Sequence, residues 1–558
     1  MQPGLQSGGG ALISQLTTEG VKHLFMVPGE SFLAVLDALH GSSAIRPITC
    51  RHESAAAMMA EATGKLTGEP GVAIVTRGPG AANALSGVYI AQQDASPMLL
   101  LVGMPPRAMA QRAAFQSIDL TAVFAPLTKW CAIVPSASAV PEFIRRAMQI
   151  ARSDRPGPVV LGLPEDVLAE ATDAATRVKP MPAHLPVGPD ARRHIARTLA
   201  HAARPVIIVG GGTWSPAASV ALAQFADRFD IPIVTSFRRQ AHVDNRLGSY
   251  IGHAGLGMDE RLRAALNIAD CVIALGSRLG DVTTNGFSLF TGRDRSQKLL
   301  LISADADAFA VTYPHAHRMT ACPMAAAAML ASLPRPPKSP RWKIWRRDLR
   351  QAYIASATPQ ATPSAVQMEQ IVMELSNTLP EGAIITNGAG NYAAFLHRYF
   401  VYKTYPSQLA PISGSMGYGL PAAIAAKLAH PETTVIAMAG DGCYQMTSQD
   451  LATAVQFAVP LVVIIANNGA LGTIRMHQEQ AYPGRVIATS LMNPDFTDQA
   501  RAAGAAAWRV ARTADFTVAL REALAVSNEQ QRPAVIELML DIEAISPHAT
   551  ITGLRARN

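Results

Sequence analysis

GDGCYQMTSQDLATAVQFAVPLVVIIANN, residues 440–468, holds the densest pattern in the chain. An apolar run, Thr434–Met438, leads into Gly440-Asp441-Gly442; a helical stretch follows, and a second apolar run, Leu461–Ala466, ends at Asn467-Asn468. Strand, helix and strand in that order place Asp441 and Asn468 at one edge of a single parallel sheet. Glycines on either side of Asp441 let the backbone approach a phosphate, and the helix N-terminus beyond offers unpaired N–H groups to its charge. A carboxylate, an amide carbonyl and a nearby main-chain carbonyl are hard oxygen donors. With phosphate oxygens and water they complete the octahedron that Mg²⁺ demands. Gly-Asp-Gly alone is a common turn; its pairing with Asn-Asn at this distance and topology points to a phosphate and metal site.

The same alternation runs along the whole chain. Val72–Thr76, Met98–Gly103, Pro205–Val209, Cys271–Leu275 and Ala383–Thr386 are further strand-length apolar runs between Ala-rich helical stretches. At 558 residues the chain exceeds one core, and about 150 residues per domain suggests three or four. Pro-rich breaks at Val178–Pro189 and Leu333–Arg341, with a further loop through Thr358–Ser364, divide it into segments each long enough for its own sheet. The expectation is an α/β protein of three doubly wound parallel-sheet domains, over 1–177, 190–333 and 360–545.

The 440–468 span resembles the diphosphate-binding motif of thiamine-diphosphate enzymes, and the likeness covers nearly the whole chain. It is closest to acetolactate synthases and their relatives. The resemblance implies metal ligands at Asp441, Asn468 and the main-chain oxygen of Ala470, with cofactor contacts at Gly440, Gly442, Cys443, Leu471, Gly472 and Thr473. ITNGAGNY, Ile385–Tyr392, resembles the loop that wraps the diphosphate, which assigns Ala389, Gly390, Asn391 and Tyr392 to it. SGSMGYGLPAA, Ser413–Ala423, resembles the segment whose apolar residue props the bent cofactor, here Met416 with Ser415 beside it. A methionine in an Ala- and Gly-rich stretch is otherwise core filler.

RHESAAAMMAEATGKLTG, Arg51–Gly68, resembles the segment whose glutamate touches the aminopyrimidine ring. A carboxylic acid in an apolar pocket has a raised pKa, so Glu53 is expected to share a proton with the ring nitrogen. On composition alone it would be a capping or exposed carboxylate. VTRGPGAANALSG, Val75–Gly87, resembles the glycine-rich turn beside that ring, with Asn83 a contact, and FQSIDLTAVFAPLTKW, Phe115–Trp130, places Gln116 near the reacting carbon. In this family the two halves meet across a subunit interface, so a homodimer or homotetramer is implied.

Two stretches depart from the pattern. Acetolactate synthases carry a tryptophan in the acceptor pocket where this chain has His477; Arg475, His477 and Gln478 form a polar stretch suited to a carboxylate or oxygen-rich acceptor, or simply a solvated helix face. VPGES, Val27–Ser31, resembles the loop over the substrate, with Gly29 kept but Glu30 and Ser31 replacing small apolar residues. In the middle segment, VGGGTW (Val209–Trp214) and LGSRLGDVTT (Leu275–Thr284) keep only part of the FAD-binding string of flavin-containing relatives, so a structural middle domain without flavin is expected.

Composition excludes several classes. The net charge is +7, from 48 Lys and Arg against 41 Asp and Glu, but the basic residues are scattered, so no nucleic-acid partner is expected. Apolar runs fall far short of the roughly 18 residues of a membrane span. The first residues, MQPGLQSGGG, lack the form of an export signal, and five dispersed cysteines suit a reducing compartment, so the expected location is the cytoplasm. The function expected is a decarboxylase or carboligase acting on a 2-keto acid or aldehyde, acetolactate synthase-like. The alternatives are a benzoylformate decarboxylase- or aldehyde lyase-like enzyme, a flavin-dependent pyruvate oxidase-like oxidoreductase, and a binding subunit without turnover.

Overall fold

The structure, a computed structural model, describes residues 5–110, 112–180, 185–212, 214–291, 297–305, 311–334 and 341–556. Residues 1–4, parts of both Pro-rich breaks (181–184 and 335–340) and residue 213 of the glycine cluster lie outside them.

Three six-stranded parallel sheets carry the chain. The first contains β1 (His23–Met26), β2 (Arg46–Thr49), β3 (Gly71–Val75), β4 (Met98–Met104), β5 (Trp130–Ile133) and β6 (Pro158–Pro164), in the order β2-β1-β3-β4-β6-β5. The second contains β7 (Pro205–Val209), β8 (Ile233–Ser236), β9 (Tyr250–Ala254), β10 (Cys271–Leu275), β11 (Lys298–Ser303) and β12 (His317–Thr320), in the order β9-β8-β7-β10-β11-β12. The third contains β13 (Ile384–Asn387), β14 (Gln408–Leu409), β15 (Val435–Gly440), β16 (Val462–Asn467), β17 (Ala506–Val510) and β18 (Ala534–Met539), in the order β14-β13-β15-β16-β18-β17. The central strands are buried on both faces by helices, which is why they read as unbroken apolar runs rather than alternating ones.

The first and third sheets therefore share one strand order and the middle sheet has another. In each, the order reverses between two neighbouring strands, and the loops leaving their carboxyl ends diverge to opposite faces, opening a crevice. Those points lie between β1 and β3, between β7 and β10, and between β13 and β15. ITNGAGNY and GDG leave β13 and β15, and VGGGTW and GSRLGD leave β7 and β10, at two of these points.

The first and third domains share an apolar core. Its centre is the packing of the Glu53–Thr67 helix on the Gly419–Ala429 helix, where Ala56, Ala60, Ala422 and Ala423 are fully buried. Small side chains let the two helix axes approach closely. Helix Gly78–Asp94 packs on the other flank, where a Cβ on Gly87 would lie 2.4 Å from that of Ala57.

A buried polar junction joins all three domains. Lys65 Nζ lies 2.6 Å from Asp94 and 3.0 Å from Glu61. Arg239, from the loop after β8, donates to Asp94 at 3.2 Å. The Tyr418 hydroxyl donates to Glu61 at 2.6 Å, and the Ile412 N–H donates to Asp94 at 3.0 Å. Two carboxylates and two cations thus meet with their hydrogen-bonding positions filled, as burial requires.

Candidate active site

β15 and β16 run in parallel, with Gly440 beside Ala466, so the loops that follow leave the same sheet edge. Asp441 opens the Asp441–Gln445 helix, with Gly440 as its cap residue. Its carboxylate is 2 % exposed and accepts from the N–H of Gly442 (2.8 Å), the N–H of Ala470 (3.2 Å) and the side-chain amide of Asn493 (2.8 Å). Burial pushes its carboxyl above the usual value despite these donors. A cation beside it would reverse that direction.

The two asparagines part company, as successive residues leaving a strand do. Asn467 is buried, donates to Glu537 at 2.8 Å and accepts from Asn493 at 3.0 Å. Asn468 is half-buried and its carboxamide makes no hydrogen bond among the described residues, which leaves a free oxygen donor beside Asp441's loop. Among the described residues the Ala470 carbonyl accepts only from the Gly472 N–H, at 2.9 Å. Among the described residues no group of three His, Cys, Asp or Glu side chains suits a metal. The donors on offer are instead one carboxylate, one amide oxygen and one main-chain oxygen, the mix a hard divalent ion takes when phosphate and water complete its shell. The residues fit such a group.

The cradle beside it is tight. A Cβ on Gly440 would lie 2.9 Å from the Tyr392 ring, one on Gly442 2.7 Å from Leu471, and one on Gly388 2.6 Å from the Cys443 sulfur. The protein's own side chains thus occupy the directions those glycines leave open. Tyr392 is buried with its hydroxyl 3.5 Å from Cys443 Sγ. Asn391 accepts from Thr473 at 2.9 Å and donates to the Ile545 carbonyl at 3.0 Å, so its side chain is spent on holding the loop. With Ala389 and Gly390 it has backbone to offer a ligand. Ser415 and Met416 ride a turn between Gly414 (φ 72°) and Gly417 (φ 77°), conformations that favour glycine. The Gly417 N–H points at Cys443 Sγ (3.3 Å), and its carbonyl accepts from Thr447 (2.7 Å), which fixes the turn that carries the half-buried Met416.

Glu53, Asn83, Gln116 and the Gly29–Ser31 loop gather at the corresponding edge of the first sheet. Glu53 begins its helix behind the cap residue His52, whose Nδ1 accepts from the Ser54 N–H at 3.1 Å. Asn83 donates to the Glu53 carboxylate at 2.9 Å. Asp450 holds the turn from the third domain by accepting the Arg51 N–H at 2.9 Å. Within the chain the Glu53 carboxylate is half-exposed and Asn83 exposed, rather than enclosed in the apolar pocket expected from the sequence. Gln116 has φ 58°, and its carbonyl accepts the Gly78 N–H at 2.8 Å, an approach that a side chain on Gly78 would block. Ser31 is fully buried with its Oγ 2.9 Å from that of Thr76, whereas Glu30 is exposed and lies 3.4 Å from Arg77.

The Gly472–Ala481 helix distributes its polar residues differently from one another. Arg475 donates to the buried Glu479 at 2.9 Å. Glu479 also takes Arg555 at 2.7 Å, and Arg555, the Gly484 N–H and Arg475 hold its carboxyl down to about 2. Gln478 donates to the Ile487 carbonyl at 2.8 Å, and His477 is exposed. Asn493 and Glu537, which complete the Asp441 and Asn467 network, carry no motif in the sequence; the only local signal is the Asn493-Pro494 turn.

In the middle sheet, the glycine cluster and the GSRLGD string converge at the β7/β10 crevice on a cleft lined by Gly211, Arg239, Ser277, Arg278 and Asp281, with Arg155 and Asp94 from the first domain. No helix among the described residues is long and apolar enough to cross a membrane.

Comparison with known proteins agrees with this geography. Family models match in three places: thiamine pyrophosphate enzyme N-terminal TPP binding domain at 6–123, central domain at 192–330, and C-terminal TPP binding domain at 388–538. The chain is similar to an acetolactate synthase of Mycobacterium bovis, 31% identical over 96% of this chain and 88% of the relative. It is also similar to the acetolactate synthase large subunit of Haemophilus influenzae (29%, over 94% and 93%) and the acetolactate synthase isozyme 3 large subunit of Escherichia coli (30%, over 93% and 92%).

Proposed function

Because the chain belongs to the thiamine pyrophosphate enzymes of the acetolactate synthase-like family, we propose that it decarboxylates a 2-keto acid and joins the acyl carbon to a second carbonyl compound or releases it as an aldehyde. One observation carries the reading. At the β13/β15 crevice a buried carboxylate (Asp441), an uncommitted amide (Asn468) and a main-chain carbonyl (Ala470) stand beside a glycine-walled cradle. In this reading these three groups would hold Mg²⁺, whose charge would neutralise part of a bound diphosphate. The backbone N–H groups of Ala389, Gly390 and Thr473 would receive the phosphate oxygens, with Gly442 and Gly472, whose own N–H groups are spent on Asp441 and Ala470, leaving room for their approach. Met416 supports the cofactor's bend.

When bound, thiamine diphosphate supplies the electron sink that lets the bond beside a ketone break. The protein's part is to place and protonate. Glu53 holds a proton for the pyrimidine ring, and Asn83 fixes which carboxylate oxygen faces it. The exposure of both groups in one chain supports a homodimer or homotetramer in which a second copy's Asp441 loop covers them and takes the Glu53 carboxyl out of water. Gln116 stands near the reacting carbon. Glu30 and His477 remain as the outward-facing candidates for substrate contact, since Ser31 is spent on Thr76 and Arg475 on Glu479. Five cysteines with no disulfide among them support a cytoplasmic setting.

The test is a panel of 2-keto acids, alone and with a second keto acid or an aldehyde, given to the purified protein with thiamine diphosphate and Mg²⁺. CO₂ release with a carbon–carbon coupled or aldehyde product is expected. Absence of cofactor binding, or of turnover on every pair, refutes the reading. A second reading, a flavin-dependent oxidoreductase, is favoured by the arginine-lined cleft at the β7/β10 crevice. Stoichiometric FAD released on denaturation would select it; the expectation is that none is released.

A further inference from the structure

Several basic residues that lie scattered in sequence are gathered by the fold at one edge of the middle domain. Helix Pro189–His201 buries Ile195 and Leu199, while His194, Arg197 and His201, at spacing i, i+3 and i+7, share another face. That face meets the amino-terminal ends of the second sheet, where Arg204 precedes β7, Lys298 opens β11 and His317 opens β12. The His194 and His317 rings stack across the gap, with centroids 3.9 Å apart and planes 12° from parallel. Beside the stack runs a cleft of about 1150 Å³, room for a ligand of nucleotide size. It lies at the opposite ends of these strands from the β7/β10 crevice. Its charge is one-sided. Arg197, Arg204 and Lys298 are exposed and make no ion pair or side-chain hydrogen bond among the described residues. The one carboxylate among the described lining residues is Asp270, whose two oxygens accept the N–H groups of Ala203 at 2.7 Å and Arg204 at 2.9 Å. No Phe, Tyr or Trp among the described residues lines the cleft.

We propose that this cleft binds a small polyanion, a ligand carrying two or more phosphate groups. Three cations against one carboxylate leave its lining at +2 before any imidazole takes up a proton, and a concave wall of one sign concentrates counter-ions. Guanidinium forks and an ammonium suit phosphate oxygens, and imidazole N–H groups add donors. Asp270 does not compete for these cations, because main-chain N–H groups occupy both its oxygens. Without aromatic faces on which bases could stack, the cleft favours a compact ligand over a single-stranded nucleic acid. The inference stands apart from the cofactor reading, since none of these residues belongs to the cradle.

The probe is fructose 1,6-bisphosphate, titrated by calorimetry into the full chain supplied with thiamine diphosphate and Mg²⁺, with fructose 6-phosphate beside it. One bisphosphate per chain is expected, bound more tightly than the monophosphate. Affinity should fall about fivefold in Arg197→Gln and likewise in Lys298→Gln, the scale of one exposed charge pair in water, and stay within about twofold in Arg197→Lys. Both side chains are exposed, so neither substitution removes a packed group. Arg347→Gln, which changes an exposed arginine outside the cleft, should leave the affinity as it was. Wild type that binds no bisphosphate, or an equal loss in Arg347→Gln, overturns the proposal. So does a loss confined to Arg278→Gln, which would put the ligand in the β7/β10 crevice, and so does a short single-stranded DNA that binds more tightly than the bisphosphate through Arg197 and Lys298. A chain that takes up no thiamine diphosphate yet binds the bisphosphate with these losses refutes the cofactor reading alone and supports the cleft.

Discussion

The two halves of the candidate site occupy equivalent crevices in sheets of the same strand order, yet they are finished to different degrees. Around Asp441 nearly every polar group is satisfied from within the domain: three donors on one carboxylate, Asn467 locked to Glu537, the turn carrying Met416 fixed by Cys443 and Thr447. Around Glu53 one hydrogen bond from an exposed asparagine orients a half-exposed carboxylate. A charge-binding centre must be rigid before its ligand arrives, because the cost of assembling donors around a diphosphate would otherwise come out of the binding energy. A proton-sharing carboxylate needs desolvation instead, and a docking partner supplies that from outside. Ligand affinity should therefore belong to the third domain and proton chemistry to the first.

Substitutions can break that division. Asp441→Ala has the largest expected effect: cofactor binding and turnover both fall below detection, since the buried carboxylate is one of few protein ligands. Near-normal thiamine diphosphate affinity in this variant, measured by titration, would remove the metal assignment. Glu53→Gln should separate the halves, leaving cofactor affinity within a few-fold and lowering turnover by about 10²- to 10⁴-fold, the worth of a positioned proton-transfer group. The decisive measurement is exchange of the thiazolium carbon proton into deuterated water. If the variant exchanges that proton as fast as wild type, Glu53 is a structural carboxylate only.

Acid sharpens the contrast by a smaller amount. Behind the Asp441 half lie His242, His253 and His397, whose folded pKa values burial lowers, to about 3 for His242 and about 4 for His253, with His397 well below the usual value. The turn at Glu53 has only half-exposed His52, which caps its helix. A folded pKa below the unfolded 6.5 means that the unfolded chain takes up protons first as pH falls. The stability these histidines permit is thus complete above about pH 6.5 and is lost below it, at about 1.4 kcal/mol per pH unit for each imidazole. Urea midpoints should fall from pH 7 to pH 5, and His253→Gln should flatten the fall. Amide exchange should rise in 392–399 before it rises in 53–67; the reverse order, or a flat midpoint, contradicts the assignment.

Much of the Asp441 half was legible because short-range rules built it. A buried parallel strand reads as an apolar run, and the residues at its carboxyl end follow directly in sequence, so β15 with Asp441 and β16 with Asn468 could be placed within a residue or two. Long-range pairing hid the rest. Asn493 reaches Asp441 from a loop 52 residues on, and Arg555 reaches Glu479 across 76 residues, with no periodicity to betray either. Ser31 and Glu30 are neighbours in sequence but face opposite ways, which only the short helical turn at Glu30–Phe32 decides. The Glu53 pocket was illegible for another reason: within one chain it is not enclosed.

The junction of Lys65, Glu61, Asp94, Arg239 and Tyr418 restricts how such a protein can be rebuilt. Its charges cancel as a set of three from the first domain with Arg239 from the middle one, and the third domain adds the Tyr418 hydroxyl. A fragment ending before the middle domain takes Arg239 from Asp94 and leaves two carboxylates to Lys65 alone, and a chimera that replaces the third domain takes from Glu61 the Tyr418 donor, leaving it Lys65 and Ser96, unless the newcomer also brings a hydroxyl to that position. The first break leaves a buried charge unbalanced, at a cost of about 3–5 kcal/mol, a large share of the net stability of an ordinary fold; the second costs about 1–3 kcal/mol for the lost donor. Recombination within this architecture must therefore exchange all three sheets together, or carry the junction residues across as a matched group.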